Sequence, residues 1–261
     1  MSTNSHFKNA IVRMPCRRMV KGLSSAGLGL PYYNLALQQH QKYIEALAKC
    51  GVEVTSIAAD ENYPDSVFIE DAALLTPVCA IITNPGAPSR KGEIVAVERS
   101  LSQFYLEIER ISAPGSLDAG DIMMVGNHYY IGISQRTNHH GANQMIAILK
   151  KHGMTGSIIP LKKVLHLKSG VSYLENNTMV ISGEFLYKKE FSRFITIQVN
   201  PSESYAANCI WVNGTIIIAE GYPKFKEAVA AHGFSTIELD MSEFRKLDGG
   251  LSCLSLRFES S

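Results

Sequence analysis

The stretch EALAKCGVEVTSI, residues 45–57, carries the pattern on which the fold turns. Apolar residues at helical spacing run up to Cys50, Gly51 follows, and a β-branched run begins at once. Glycine just past the last periodic residue is a helix stop, because it adopts the left-handed conformation there without steric cost. The same order recurs in AILKKHGMTGSIIPL (147–161) and EAVAAHGFSTIEL (227–239), and less regularly in ERSLSQFYLEIERISA (98–113). Each reads as helix, then strand.

Short strand-like runs lie between these copies: SVFIEDAALLT (66–76), CAIIT (79–83), HYYIGIS (128–134), TMVIS (178–182) and GTIIIAEG (214–221). Some come in pairs around tight connections, with GNH (126–128) and VNG (212–214) as the turns. The helix stops are spaced as units of about 50 residues, hence about five units. A doubly wound parallel sheet also alternates strand and helix. Against it, no Gly-rich phosphate loop follows an early strand, and the paired short strands read as antiparallel. Pattern alone leaves both arrangements open.

Composition narrows the function. The 261 residues are 46% hydrophobic and 19% charged, with a formal net charge of +1. That balance is ordinary for a globular protein and offers no basic stripe for nucleic acid or a membrane surface. No apolar run reaches the roughly 18–20 residues needed to span a bilayer. The opening MSTNSHFKNA lacks the apolar core of a secretory leader. The five cysteines (Cys16, Cys50, Cys79, Cys209 and Cys253) are odd in number and scattered, without a C-x-x-C pair. This predicts reduced thiols and a cytoplasmic location. With no low-complexity segment or linker, residues 1–261 read as a single domain.

Four segments carry polar chemistry in apolar settings. KLDGGLSCLSLRF (246–258) puts Cys253 between a Gly-Gly turn and an alternating strand, where a ligand can reach a thiolate. VLHLKSG (164–170) holds His166 between leucines, and SLDAGDIMMVG (116–126) holds Asp118 and Asp121 beside a tight turn. Taken singly, a buried thiol, a core histidine and turn-capping acids explain these three equally well. PDSVFIEDAALL (64–75) is more demanding, with Asp65, Glu70 and Asp71 at and inside what reads as an apolar strand. Period two would place Glu70 and Asp71 on opposite faces, so one carboxylate points inward and needs a cationic partner. That partner is either an internal arginine or a cationic ligand. His139 and His140 in TNHHGAN (137–143) read as surface residues at a helix start, and Cys209 in AANCI (206–210) as packing.

Together with NPGAPSR (84–90), AANCI and the extension of the 116–126 segment to Asn138, these segments resemble the dimethylarginine dimethylaminohydrolase family. That family is a branch of the pentein, or guanidine-modifying, superfamily. The resemblance runs from about Leu23 to Phe258 and implies a five-bladed α/β propeller of pseudo-symmetric ββαβ units. It implies that Cys253 is the nucleophile, His166 the general acid and base, and Asp118 the acid that works with the histidine. Asp71 would hold a guanidinium with Glu70 beside it. Asp65 and the Leu23 carbonyl would meet an α-amino group. Arg90 and Arg136 would clamp an α-carboxylate, with the Leu247 carbonyl at the same end. KGLSSAGLGLPYY, about residues 21–33, would be a lid. Position 254, where some relatives carry a second cysteine, is leucine here.

The chemistry so implied is hydrolysis of a C–N bond in the guanidinium of a free, methylated arginine through a covalent thiouronium, giving citrulline and an amine. It calls for no metal or organic cofactor. The expected partner is the small-molecule substrate, with neither nucleic acid nor membrane, and a homodimer stays open. Two arginines matched to a carboxylate argue against a decarboxylated substrate. An arginine deiminase-like hydrolysis of unmethylated arginine is the near alternative. A non-catalytic binding protein on the same propeller is the rival of another class.

Overall fold

A computed structural model of the chain describes residues 6–259. In chain order the elements are β1 (Asn9–Arg13), α1 (Tyr33–Lys49), β2 (Glu53–Ile57), β3 (Ala73–Leu75), β4 (Ala80–Ile82), α2 (Ile94–Leu101) and β5 (Ile108–Arg110). There follow β6 (Ile122–Val125), β7 (His128–Ile133), α3 (His139–Lys151), β8 (Thr155–Pro160), β9 (Val171–Tyr173), β10 (Thr178–Ile181) and β11 (Ile195–Gln198). The chain ends through β12 (Ile210–Val212), β13 (Thr215–Ala219), α4 (Pro223–Ala231), β14 (Ser235–Leu239) and β15 (Leu256–Phe258).

The strands form five three-stranded sheets, ordered β15-β1-β2, β3-β4-β5, β6-β7-β8, β9-β10-β11 and β12-β13-β14. In every sheet the first pair is antiparallel and the third strand is parallel to the second. A parallel return needs a crossover, and α1 to α4 supply it in four of the five blades. The fourth blade crosses over through 3-10 turns at Gly183–Tyr187 and Lys189–Phe191, which is why no helical period marks it in the sequence. The ring closes by pairing β15 with β1, Phe258 opposite Asn9 and Leu256 opposite Ile11. This closure carries the C-terminal segment, and Cys253 with it, into the first blade.

The three helix stops behave as their sequences predict. Gly51, Gly153 and Gly233 all have φ between 75° and 83°. The helices bury a stripe against their own blade. On α1, Ala36, His40, Tyr43 and Leu47 recur at i, i+4, i+7 and i+11 and pack with Val12, Val52 and Phe244. A large apolar side chain such as Leu47 contributes about 1.5–3 kcal/mol by leaving water, so Leu47→Ala should cost about 2–5 kcal/mol. No helix among the described residues is long and apolar enough to cross a membrane.

One local expectation fails. PDSVFIED is not a strand: Ile69–Ala72 forms a 3-10 turn and only Ala73–Leu75 is extended. A 3-10 turn advances about 120° per residue instead of alternating faces, so neighbouring acids need not point apart. Glu70 and Asp71 are both buried, at 4% exposure each.

Candidate functional site

Every blade is entered through a 3-10 turn just ahead of its first strand, and the site is built from these turns. Ile69–Ala72 presents Glu70 and Asp71, Ala119–Asp121 follows Asp118, Leu167–Ser169 follows His166, and Ser252–Leu254 contains Cys253. Four segments far apart in sequence thus converge at one end of the ring. Cys253 and His166 line the same cavity, of about 50 Å³, together with Glu70 and Gly120. A larger cavity of about 380 Å³ shares Glu70, Lys168 and Ser252 with it but reaches neither Cys253 nor His166. Thiol and imidazole therefore meet at the smaller of the two.

The imidazole sits in a nest of acids. His166 Nε2 lies 3.2 Å from Asp118 Oδ2, and nitrogen and carboxylate oxygens of Asp71, Asp118 and His166 all lie within 4.8 Å of one another. Asp118 Oδ1 accepts the Gly86 N–H at 2.8 Å, and Asp71 Oδ1 accepts the Gly120 N–H at 2.9 Å. Asp121 acts one step removed: it accepts the Leu167 N–H at 2.9 Å and the Ser134 hydroxyl at 2.6 Å, which fixes the turn after His166. Gly120 is required for this approach, since a Cβ there would lie 2.6 Å from Asp71 Oδ1 and 3.1 Å from His166 Nδ1.

Burial by itself would strip the imidazole of its proton. The Asp71 charge, the bond to Asp118 and the Asp121 charge outweigh it and raise His166 to about 9. Burial likewise opposes the charge on Asp71, but His166 and Arg90 hold that carboxyl down at about 2. The side chains of Asp71, Asp118 and His166 have the donor types of a metal site. The cluster is a carboxylate cradle around a cation. Cys253 lies on the acidic side of it: burial first, then the Glu70 and Asp71 charges, push its thiol up to about 12 against the Gly250 N–H and the Lys168 cation. Gly250 N–H points at Cys253 Sγ from 3.4 Å.

Arg90 differs from its expected place. Its Nε and Nη2 donate to Glu93, its Nη1 to Asp71 at 2.5 Å, and its Nη2 also to the Phe68 carbonyl at 2.9 Å. It is an internal cation, 5% exposed, with all three of its nitrogens engaged by groups of the protein. Of its two buried carboxylate partners, Asp71 is held down at about 2 by His166 and Arg90 against burial, whereas burial outweighs Arg90 at Glu93 and lifts that group to about 7. Arg136 is the opposite case: half-buried, with its Nη1 sealed from solvent and without a partner.

Asp65, Leu23 and Leu247 come together at the covered end. The Leu23 N–H donates to Asp65 Oδ1 at 2.8 Å, and a Cβ on Gly22 would lie 2.8 Å from that oxygen and 3.4 Å from Leu247 Cδ1. Burial raises the Asp65 carboxyl, against the Arg90 and Arg136 charges. Residues 22–32 form no regular structure and rest on the segment before Cys253. Ser24 donates to the Lys246 carbonyl at 2.6 Å, and the Ser25 N–H to Asp248 at 2.5 Å. His139 and His140 are exposed at the start of α3, and Cys209 is buried, as read from the sequence. Lys168, Asn208 and Ser252 were not singled out, although each is a polar residue in an apolar segment just ahead of a strand, as His166 and Cys253 are.

Comparison with known proteins gives relatives of the whole chain. Residues 95–245 match the family model described as arginine deiminase. An N(G),N(G)-dimethylarginine dimethylaminohydrolase of Pseudomonas aeruginosa is 55% identical over 97% of this chain and 100% of its own length. One from Streptomyces coelicolor is 34% identical over 96% of each chain. A solved structure of the Pseudomonas aeruginosa protein, a cysteine-to-serine mutant complexed with citrulline, superposes with a TM-score of 0.96 over 97% of this chain and 100% of that one.

Proposed function

The chain belongs to the dimethylarginine dimethylaminohydrolase family, and we propose that it hydrolyses the guanidinium of a free methylated arginine with Cys253, His166 and Asp118 as its catalytic groups. One observation carries the assignment of roles. The Cys253 thiol and the His166 imidazole line one small cavity with Glu70, and Asp71 and Asp118 stand directly against that imidazole.

The thiol keeps its proton in the unliganded protein, since burial first and then the Glu70 and Asp71 charges disfavour a thiolate. A substrate guanidinium brings a cation between thiol and carboxylates and reverses that balance. Cys253 then releases its proton to solvent, and the thiolate attacks the guanidinium carbon, forming a C–S bond. His166, held protonated by Asp71 and Asp118, gives its proton to the departing amine as the C–N bond breaks. The products of this half are a thiouronium on Cys253 and free dimethylamine or methylamine. Water then attacks the same carbon while neutral His166 takes its proton, the C–S bond breaks, and citrulline leaves. One difficult displacement becomes two easier ones.

Arg90 enters this scheme by exchange. An arriving guanidinium takes its place on Asp71, which frees Arg90 Nη1 to join Arg136 on the α-carboxylate. Asp65 and the carbonyls of Leu23 and Leu247 receive the α-amino group, beneath the lid of about residues 21–33. Five unpaired cysteines, one of them a nucleophile, suit a reducing compartment, and we place the protein in the cytoplasm.

The test is kcat/KM for dimethylarginine, monomethylarginine and arginine, with citrulline as the measured product. A methylated substrate should lead. A large preference for arginine would replace this reading with a deiminase, and turnover surviving in Cys253→Ser would remove the nucleophile.

A further inference from the structure

Four of the five blade entries bring a group to the reaction, and the fifth deserves the same question. Its turn, Pro201–Ala207, leads into Asn208, which is 7% exposed. We propose that Asn208 is a positioning residue that sets the Cys253 turn against the His166 turn, so that thiol and imidazole meet the same guanidinium carbon. The proposal rests on the roles assigned above to those two residues.

The geometry is a closed circuit of hydrogen bonds. Asn208 Oδ1 accepts the Ser252 N–H at 2.9 Å, and Asn208 Nδ2 donates to Ser252 Oγ at 2.9 Å and to the Lys168 carbonyl at 3.0 Å. Ser252 Oγ passes its own proton to Glu70 Oε2 at 2.9 Å, and Lys168 Nζ returns to Glu70 Oε1 at 2.5 Å. Ser252 is the neighbour of Cys253, Lys168 lies just beyond His166, and Glu70 adjoins Asp71. The circuit therefore touches three of the four reacting turns at one remove from their working side chains. Asn208 joins the first blade's entry to the fourth blade's from one side, as Glu70 does from the other.

Only a primary amide fits this place. It must accept from a backbone N–H with one end and donate to both a hydroxyl and a carbonyl with the other. A carboxylate would set oxygen against the Lys168 carbonyl and leave Ser252 Oγ without its donor. The fit is close, because a Cβ on Gly250 would lie 2.5 Å from Asn208 Oδ1. A satisfied buried amide could serve stability alone. Positional control predicts more, since a displacement of about 1 Å in a reacting pair costs on the order of 10²-fold in rate.

The experiment takes full-length Asn208→Ala, Asn208→Asp, Ser252→Ala and the Asn208→Ala/Ser252→Ala double variant, beside Cys253→Ser. It reads thermal midpoint, KM, kcat, and labelling of Cys253 by a small amidinium electrophile. Asn208→Ala should lose on the order of 10²-fold in kcat and in labelling rate with KM within about threefold, and Asn208→Asp at least as much. Ser252→Ala should lose about tenfold, and the double variant no more than Asn208→Ala, because the two act through one connection. Native kcat in a folded Asn208→Ala, additive losses, or losses of kcat and KM that only track the thermal midpoint would overturn the proposal. If Asn208→Ala does not fold, Ser252→Ala decides: it keeps the amide's bonds to the Ser252 N–H and the Lys168 carbonyl, and unchanged kcat there overturns it as well. Turnover by Cys253→Ser would instead defeat the assignment of the nucleophile. An inactive Cys253→Ser beside a normal Asn208→Ala would defeat Asn208 alone.

Discussion

Arg90 Nη1 and Asp71 Oδ2 lie 2.5 Å apart, both almost wholly out of solvent. In the proposed reaction Asp71 receives the substrate guanidinium, and Arg90 is then a stand-in for that ligand. Removing this cation leaves buried Asp71 with only the His166 charge and the Gly120 N–H beside it, and Arg90→Met should cost about 3–5 kcal/mol of stability in a denaturant titration. An alkylguanidine, which has no carboxylate, should raise the thermal midpoint of that variant by more than it raises the native protein's. Equal shifts would mean that no exchange on Asp71 takes place.

The elevated Cys253 thiol makes a second prediction, in the unliganded protein. With its value pushed up to about 12, the thiolate fraction at neutral pH is minute. Alkylation of Cys253 by neutral iodoacetamide should be slow at pH 7 and rise roughly tenfold per pH unit towards pH 10, as thiolate nucleophiles do below their pKa. A small amidinium electrophile should label it rapidly at pH 7.5, because it carries the missing positive charge. A neutral-reagent rate that levels off below pH 8, mapped to Cys253, would show a thiolate already present.

His166 titrates in the opposite sense. Its folded value, about 9, stands above its ordinary 6.5, so its contribution to stability is whole below about 6.5 and lost as pH rises through about 9. The proton donated to the amine goes the same way, and kcat should fall along an alkaline limb. Asp118→Asn keeps a polar partner beside Nε2 but removes one of the charges that hold the proton. It should lower kcat by on the order of 10²–10⁴-fold and move the limb to lower pH. A limb that stays in place would take Asp118 out of the control of this proton.

The ring was legible where glycine and amphipathic period coincide, in the runs ending at Gly51, Gly153 and Gly233. It was hidden in the fourth blade, whose crossover at residues 183–191 is made of 3-10 turns with no period to read. In the site, Cys253, His166 and Asp118 were reached through resemblance and are brought together by the fold. Glu70 and Asp71 were read as odd acids in a strand, and the 3-10 turn that buries both has no pattern distinct from a strand at such length. Arg90 was legible as a cation but not as Asp71's present partner, because residues 71 and 90 meet through tertiary packing alone. Asn208 and Lys168 had a usable mark that went unread: each is a polar side chain at a blade entry, the place the reacting residues occupy.

The approach of His166 to Asp71 depends on what is absent at position 120. Gly120 has an ordinary backbone, so Gly120→Ala introduces no left-handed strain and its whole effect is the added methyl, 2.6 Å from Asp71 Oδ1 and 3.1 Å from His166 Nδ1. Neither neighbour has room to retreat, since Asp71 is tied to Arg90 and His166 to Asp118. The substitution should cost about 1–3 kcal/mol as overpacking. It should also lower kcat by on the order of 10²-fold through misplacement of the imidazole. Gly126→Ala is the matched control: its φ of 57° strains an alanine, but nothing lies within 4 Å of the added carbon. It should lose stability on the order of 1 kcal/mol and leave kcat at the native value. If the two variants lost activity in proportion to stability alone, the close approach at Gly120 would be a packing feature with no part in the reaction.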